Sequence, residues 1–261
     1  RVDVATKFGP EGLSADYQFQ TFARQHFRSD QSLIAQRNDQ VSYPDVAWLA
    51  GQFRDIQTFR EWHFGRFAAT RDPQGTAMPT DELLPDQSNL AMLVQELEHQ
   101  GALGALEPYL KRFLPRFQRL STRVSGGAIL LYLHETGAQA PTPAMRLSDG
   151  TLRFVALLVL LLRPTPSPLI CIEEPELGLH PDALSILAEL FVEVSARTQL
   201  VVTTHSDALV SALTEEAAAI MVCEHRGGTV LSRVEPDKLK HWLDKYRLGD
   251  VWRMGELGGN P

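Results

Sequence analysis

The spacing of apolar and polar residues changes along the chain, and each change predicts an element of secondary structure. In the second half, short apolar runs alternate with segments whose apolar residues recur every three or four positions. The predicted elements, in order, are helix 150–162, strand 168–172, helix 181–196, strand 199–203, helix 206–213 and strand 218–223. Apolar strands that alternate with helices are typical of a parallel sheet covered on both faces. This half of the chain therefore predicts an α/β fold.

The first half and the tail carry weaker patterns. Tyr17, Phe19 and Thr21 alternate with polar residues and predict a half-buried strand. Segments 117–124 and 128–133 flank a pair of glycines, which predicts an antiparallel hairpin whose strands we expect to extend the central sheet. The other predicted elements are a helix between the capping residues 86–88 and Gly101, helix 106–113, strand 229–234 and helix 236–244.

Composition excludes several classes of protein. With 261 residues, 44% of them hydrophobic and 22% charged, the chain resembles an ordinary globular domain. Its net charge of -7 argues against a basic nucleic-acid surface over the whole molecule. The longest apolar run, 154–162, is too short to cross a bilayer. Cys171 and Cys223 lie far apart in apolar runs, so we expect no disulfide or zinc site and a reducing, cytoplasmic location.

Two adjacent acids, Glu173 and Glu174, follow the apolar strand 168–172. Open α/β folds bind ligands at the carboxyl ends of their strands, so these side chains are candidates for a nucleotide site. One carboxylate is suited to hold Mg²⁺, directly or through water, and the other to act as a general base toward an attacking water. The alternative is a solvated strand end at which Glu173, Glu174 and Glu176 cap the following helix. The acidic motif alone leaves both interpretations open.

A histidine, His205, closes the next predicted strand and precedes Ser206 and Asp207, either of which can cap a helix. A single histidine at such a place is usually structural. Neighbouring strand ends, however, would bring its ring beside the two acids. There it is suited to contact a terminal phosphate or the attacking water.

The segment Ser148-Asp149-Gly150-Thr151 opens the long predicted helix. Its backbone amides, the helix dipole and the hydroxyls of Ser148 and Thr151 suit a phosphate oxygen. The alternative is an ordinary helix cap. A serine nucleophile is not supported, because Arg146 stands where the G-x-S-x-G pattern requires glycine.

Together and in this order, the motifs resemble the ABC-type ATPase superfamily, in particular SMC-like predicted AAA family ATPases related to chromosome-maintenance, recombination and phage-defence heads. Residues 147–151, the signature loop, resemble the signature motif of these proteins. The other segments that carry the resemblance are 169–174 (the Walker B strand), 176–181 (the D-loop region), His205 (the switch histidine) and the tail segments 248–252 and 255–260.

The resemblance implies a P-loop NTPase head with a mostly parallel sheet flanked by helices, antiparallel strands and a helical insertion. Residues 1–80 are then the irregular β and helical insertion, and residues 81–261 the ATPase core with a C-terminal extension. A loop rich in proline and glycine at 73–85 fits a boundary in this region.

The resemblance also assigns roles to residues. Glu174 becomes the general base, and Glu173 takes the magnesium-linked position, where the family has aspartate. The longer glutamate changes the reach to the metal. Ser148, Asp149, Gly150 and Thr151 become nucleotide-binding residues, with Ser148 and Gly150 acting in trans on ATP held by another subunit. We therefore expect ATP and Mg²⁺ as cofactors and a homodimer.

The phosphate-binding motif of such ATPases is missing from the sequence. It requires Gly-x-x-x-x-Gly-Lys-Ser/Thr, and none of the five lysines follows a glycine. Since the chain starts abruptly at Arg1, we expect it to begin partway through its gene product or to lack a segment, rather than to have lost nucleotide binding. The 261 residues alone are then expected to be inactive as an ATPase.

The predicted function is ATP binding and hydrolysis by a head that dimerises around nucleotide. DNA or a defence-system protein is the expected partner from the family alone, and no membrane is expected. The alternative function is a non-enzymatic dimerisation or regulatory module that retains the fold. A fused nuclease is disfavoured, because the sequence after Val222 offers no cluster of metal-binding carboxylates.

Overall fold

A computed structural model describes residues 2–6, 18–22, 31–36, 40–41, 43–225 and 227–258. The chain divides into two compact units, residues 1–57 and 58–261. The predicted division at residue 80 stays a prediction about the organisation of the head.

The first unit contains a small antiparallel sheet and two helices. Strands β1 (Val2–Thr6) and β2 (Gln18–Phe22) pair antiparallel, which confirms a strand at Phe19 and Thr21. Tyr17 lies outside the described residues. Helices α1 (Leu33–Gln36) and α2 (Pro44–Arg54) follow. Proline suits the first turn of α2, because the amide it lacks has no partner there.

The second unit holds the predicted α/β elements. In chain order, they begin with β3 (Ile56–Phe59), of which residues 58 and 59 belong to this unit, followed by β4 (Gln74–Gly75), α3 (Leu90–His99), α4 (Glu107–Phe113), β5 (Phe117–Ser125), β6 (Ala128–Glu135) and β7 (Thr142–Pro143). The remaining elements are α5 (Asp149–Leu161), β8 (Leu169–Glu173), α6 (Asp182–Ser195), β9 (Gln199–Thr203), α7 (Asp207–Ala212), β10 (Met221–His225), β11 (Thr229–Arg233), α8 (Pro236–Leu243) and α9 (Leu248–Arg253).

Helix α5 forms the centre of the hydrophobic core. Every residue from Thr151 to Leu161 is buried. A helix that is apolar on all sides has no face for solvent, so it packs inside the domain. The core around it also includes the apolar face of α3 and residues of β8 and α6, such as Leu93, Ile172 and Leu187.

Strands β8 and β9 pair in parallel, with Glu173 opposite Thr203. The carboxyl ends of the two strands are therefore level, and the loops after them begin side by side. This parallel pair, helices and antiparallel strands confirm the α/β class. The expectation that every strand is covered on both faces fails at β9, where Gln199, Val201 and Thr203 are exposed.

The glycine hairpin forms as predicted, but it lies in a different sheet from β8. Gly126 and Gly127 have φ angles of 60° and 77°, and β5 pairs antiparallel with β6 across this turn. The other edge of β6 pairs with the short strands β4 and β7. Because both edges of β6 are occupied along these stretches, the hairpin completes a four-stranded sheet instead of extending the parallel pair.

The C-terminal elements pack on α7. The strand predicted at 218–223 is found as β10, and it does not join the parallel pair. It pairs antiparallel with β11 in a two-stranded sheet of its own. Helix α9 lies so close to α7 that a Cβ on Gly249 would overlap the carbonyl of Asp207. Leu248 and Val251 of α9 are fully buried, which fixes the tail to this helix. Among the described residues, the helices are too short or too polar to traverse a bilayer.

Candidate functional site

The ends of β8 and β9 bring the predicted acid and histidine together. The amide of Glu174 donates to the carbonyl of Thr203 at 2.9 Å, which continues the strand pairing by one residue. Nε2 of His205 then lies 3.9 Å from Oε1 of Glu174. The side chains are 73% and 40% exposed respectively, so both remain accessible to a ligand.

Glu174 has an unusual backbone. Its φ of 45° lies in the left-handed region, which costs a residue other than glycine roughly 1–2 kcal/mol. The turn is closed by a hydrogen bond from the amide of Leu177 to the carbonyl of Glu174. Strain of this kind is common at functional sites, where the surrounding structure holds a side chain in a fixed direction.

Glu173 lies beside a basic side chain. Its Oε1 is 3.4 Å from Nε of Arg60, in a pair that is largely solvent-exposed and therefore weak. Within the described ranges, no group of three or more His, Cys, Asp or Glu side chains is placed to hold a metal ion. Mg²⁺ needs fewer protein ligands, since one or two carboxylates with waters and phosphates suffice. The exposed carboxylate of Glu173 fits that arrangement, in which water and phosphate oxygens would supply the other ligands.

The hydroxyls of the signature loop cap helix α5. Ser148 Oγ accepts a hydrogen bond from the amide of Thr151 at 3.0 Å and lies 2.8 Å from its hydroxyl oxygen. These contacts satisfy one of the free amides at the helix start. The local geometry is thus that of a helix cap, and the phosphate-binding role of residues 148–151 stays a prediction.

Arg71 holds the signature loop in place. Its side chain is 10% exposed and pairs with the carboxylate of Asp149. It also donates to main-chain oxygens of Phe64 (3.0 Å), Gly65 (3.1 Å), Ala144 (3.3 Å), Met145 (3.4 Å) and Leu147 (2.7 Å). Sequence reasoning missed Arg71, because its partners in the signature loop lie more than 70 positions away.

Gly150 is required by a close approach between α5 and the D-loop region. A Cβ at this position would lie 2.7 Å from the carbonyl oxygen of Gly178. One turn further along α5, the buried Arg153 donates to the carbonyl of Leu177. The start of α5 and the segment after Glu174 are therefore held against each other.

The environment of Arg153 is both aromatic and acidic. Its guanidinium carbon lies 5.6 Å from the ring centre of Trp62 and 5.9 Å from that of Phe64. Burial lowers the pKa of Arg153, while the charges of Glu176, Asp149 and Glu174 act in the opposite direction. Carboxylates of the signature loop and of the segment after β8 therefore both favour the charged form of this arginine. The sequence pattern did not predict a role for Arg153.

Glu176 does not cap the following helix, as one interpretation of the acids suggested. Its Oε1 instead accepts hydrogen bonds from the hydroxyl of Thr204 and, at 3.2 Å, from the amide of His205. Its Oε2 is buried and has no hydrogen-bond partner among the described residues. Glu176 thus connects the segment after β8 to the segment after β9.

These contacts place an acid and a histidine at the carboxyl ends of parallel strands, next to a capped helix start. A protein-family model described as "AAA domain, putative AbiEii toxin, Type IV TA system" matches residues 5–211. The chain belongs to this AAA domain family. The prediction of an AAA-type ATPase family is thereby confirmed.

Known proteins resemble parts of this AAA domain chain. The Old nuclease of Escherichia phage P2 is 38% identical over 73 residues, which are 28% of this chain and 12% of the nuclease. The chain therefore matches only a small part of that relative.

Solved structures of SMC heads align with a larger share of this chain, at lower sequence identity. An SmcHead bound to the C-winged helix domain of ScpA has a TM-score of 0.47 and 15% identity, covering 72% of this chain and 57% of that one. An Smc head with a coiled coil from Pyrococcus yayanosii has a TM-score of 0.43 and 17% identity, covering 61% and 34%. The family assignment does not rest on these low scores.

Proposed function

We propose that this AAA domain chain carries the hydrolytic residues of an ATPase. The observation that carries the proposal is the 3.9 Å approach of Glu174 and His205 at the level ends of β8 and β9. In an ABC-type site, the acid and the histidine face the terminal phosphate of ATP, and both side chains here are accessible.

In the proposed reaction, the carboxylate of Glu174 accepts a proton from a water molecule as that water attacks the terminal phosphorus. The bond from this phosphorus to the bridging oxygen of ADP breaks, and the products are ADP and inorganic phosphate. His205 donates a hydrogen bond to the transferred phosphoryl group and stabilises its charge. Mg²⁺, for which Glu173 is the proposed ligand, would neutralise part of the phosphate charge.

We further propose that the signature loop acts on ATP held by a second copy of the chain. Met145, just before α5, and Leu177, whose carbonyl binds Arg153 of α5, are 55% and 53% exposed. Both side chains would be available for contact with a second copy of the chain that docks at this helix start. DNA and a defence-system partner are parts of the proposal that rest on the family resemblance, and the cytoplasmic location rests on the two unpaired cysteines, Cys171 and Cys223.

Since these 261 residues contain no Gly-x-x-x-x-Gly-Lys-Ser/Thr motif, we propose that they hydrolyse ATP only together with a phosphate-binding loop supplied from outside them. Phosphate release by the purified 261-residue chain at a rate comparable with that of an intact ATPase would contradict this part of the proposal.

The test of the hydrolytic role is Glu174→Gln in the product of the complete gene. A general base contributes about 10²–10⁴-fold to a rate, so kcat should fall at least 100-fold while ATP is still bound. The variant should accumulate as an ATP-bound dimer, which size-exclusion chromatography with light scattering detects. The matched control is Glu98→Gln, an exposed acid on α3, which should leave turnover unchanged.

Normal hydrolysis by the Glu174→Gln variant would exclude Glu174 as the base. A complete gene product that binds no nucleotide, measured by isothermal titration calorimetry, would instead favour the non-enzymatic module.

A further inference from the structure

The carboxylate of Glu176 is placed to control the position of His205. The left-handed conformation of Glu174 turns the chain directly after β8, and the turn brings Glu176 back toward the end of β9. There Oε1 of Glu176 accepts hydrogen bonds from the Thr204 hydroxyl and from the His205 amide, the second at 3.2 Å. One oxygen atom therefore holds two consecutive residues.

The Thr204 hydroxyl extends this restraint by one residue. Its oxygen accepts a hydrogen bond from the amide of Ser206 at 2.9 Å, and Ser206 in turn caps α7 by accepting from the amide of Leu209 at 3.2 Å. The segment between β9 and α7 is thus connected through Thr204 to Glu176. The conformation of this segment, which follows β9, therefore depends on the side chain of Glu176, which follows β8.

The ring of His205 has little packing of its own. The side chain is 73% exposed, and its Nε2 lies 3.9 Å from Oε1 of Glu174. The backbone of His205 sets the direction of its Cα–Cβ bond, and the side-chain torsions then place the ring. The contacts of Glu176 with this segment therefore restrain the point from which the ring reaches Glu174.

Glu176 is itself held from the other side. Arg153 donates to the carbonyl of Leu177, the next residue, and the charge of Glu176 is the largest favourable one acting on its guanidinium. Since Arg153 lies on α5, the segment 176–177 connects the helix that begins at the signature loop with the segment that carries His205.

We propose that Glu176 is a positioning residue that acts through His205: it fixes residues 204–206 so that the imidazole stays in place beside Glu174. The inference rests on the proposed ATPase function for its kinetic test, and its structural half is testable without activity. Glu176 touches neither substrate nor attacking water in this assignment.

The kinetic test compares Glu176→Ala, Glu176→Gln and His205→Ala in the product of the complete gene. Glu176→Ala should lower kcat by about 10–100-fold, since misplacing a reacting group by about 1 Å costs up to that much, and should change KM for ATP by less than about twofold. Glu176→Gln should recover most of kcat, because its amide oxygen still accepts from Thr204 and from the His205 amide.

The deciding measurement is the double variant. If Glu176 acts through His205, adding Glu176→Ala to His205→Ala should leave kcat unchanged from that of His205→Ala alone. A further decrease equal to that seen in the wild-type background would overturn the proposal, because Glu176 would then act independently of the histidine.

A second variant covers the case in which Glu176→Ala does not fold. Thr204→Val keeps the shape of the side chain and removes the hydroxyl that Glu176 binds. Thr204→Val should lower kcat by about 3–10-fold in the wild-type background. In the His205→Ala background it should leave kcat unchanged. An unchanged kcat in Thr204→Val, with the fold intact, would count against the restraint.

Amide hydrogen exchange separates this proposal from the proposed function. The His205 amide should lose at least about tenfold of its protection in Glu176→Ala and keep it in Glu176→Gln, because the exchange rate follows the opening of that hydrogen bond. Unchanged protection in Glu176→Ala would overturn the positioning role even if ATP is hydrolysed. Lost protection with normal turnover by His205→Ala would instead sustain the positioning and refute the histidine's role in hydrolysis.

Discussion

Replacing Gly150 with alanine tests whether the start of α5 and the D-loop region are in direct contact. The backbone of Gly150 is not left-handed, so alanine is permitted by its conformation. The added Cβ, however, would lie 2.7 Å from the Gly178 oxygen, where ordinary contacts begin at 3.4 Å. The carbonyl would have to retreat by about 0.7 Å, and Arg153 restrains it by binding the neighbouring carbonyl of Leu177.

The expected cost follows from two opposing effects. Inserting a methyl group into a packed contact costs about 1–3 kcal/mol, and alanine regains up to about 1 kcal/mol over glycine in a helix. We expect a net loss of about 1–2 kcal/mol in the free energy of unfolding. For a domain of this size, that corresponds to a decrease in Tm of roughly 2–8 °C.

The measurement is thermal and guanidinium unfolding followed by circular dichroism. The matched control is Gly104→Ala, at a glycine with nothing within 4 Å of an added Cβ and no left-handed backbone. The control should be neutral or slightly stabilising. If Gly150→Ala is as stable as Gly104→Ala, the close packing of α5 against the D-loop region is wrong.

Three further changes test other parts of the structure. Gly249→Ala should push α9 off α7, because its Cβ would overlap the carbonyl of Asp207; faster tryptic cleavage of the tail reports this, and unchanged cleavage would argue against the docking. Burial and the hydrogen bond to Glu193 raise the pKa of Tyr109 to about 12. Because the folded state favours the protonated phenol, the raised pKa stabilises the fold. This stabilisation is fully present below about pH 10 and is lost as the pH rises through about 12. Absorbance at 295 nm should show a late-titrating tyrosine that Tyr109→Phe removes, whereas an unchanged titration curve would contradict the shift. Arg71→Lys should cost about 2–4 kcal/mol in urea unfolding, since lysine cannot reach all the carbonyls that the buried guanidinium binds; a loss below about 0.5 kcal/mol would refute its anchoring role.

The elements that hold the candidate site were predictable from the sequence. The long helix was expected at 150–162 and is found at Asp149–Leu161, and the strand before the acids was expected at 168–172 and is found at Leu169–Glu173. These predictions succeed because a helix start, an apolar period and a run of strand-forming residues are local properties of the chain.

Strand pairing was less predictable. The hairpin at Gly126-Gly127 was recognised from its turn, but its place in a separate sheet depends on β4, which comes from a distant loop, and on β7, which follows β6 in the chain. Likewise, the pattern around 218–223 predicted a strand and could not show that β11 is its partner. A period of two identifies a strand and carries no information about its neighbour.

The sequence by itself determined that two acids end one strand, that a histidine ends the next and that a capped helix begins at Ser148. Only the tertiary structure decided how these parts are held. Arg71, Arg153 and Glu176 reach partners 78, 24 and 29 positions away, and no local pattern records such distances. Periodicity reports which face of an element is buried, whereas packing decides which buried polar groups meet. The acidic motif after β8 is therefore both a candidate catalytic base at Glu174 and, two residues later, a carboxylate that holds the His205 segment.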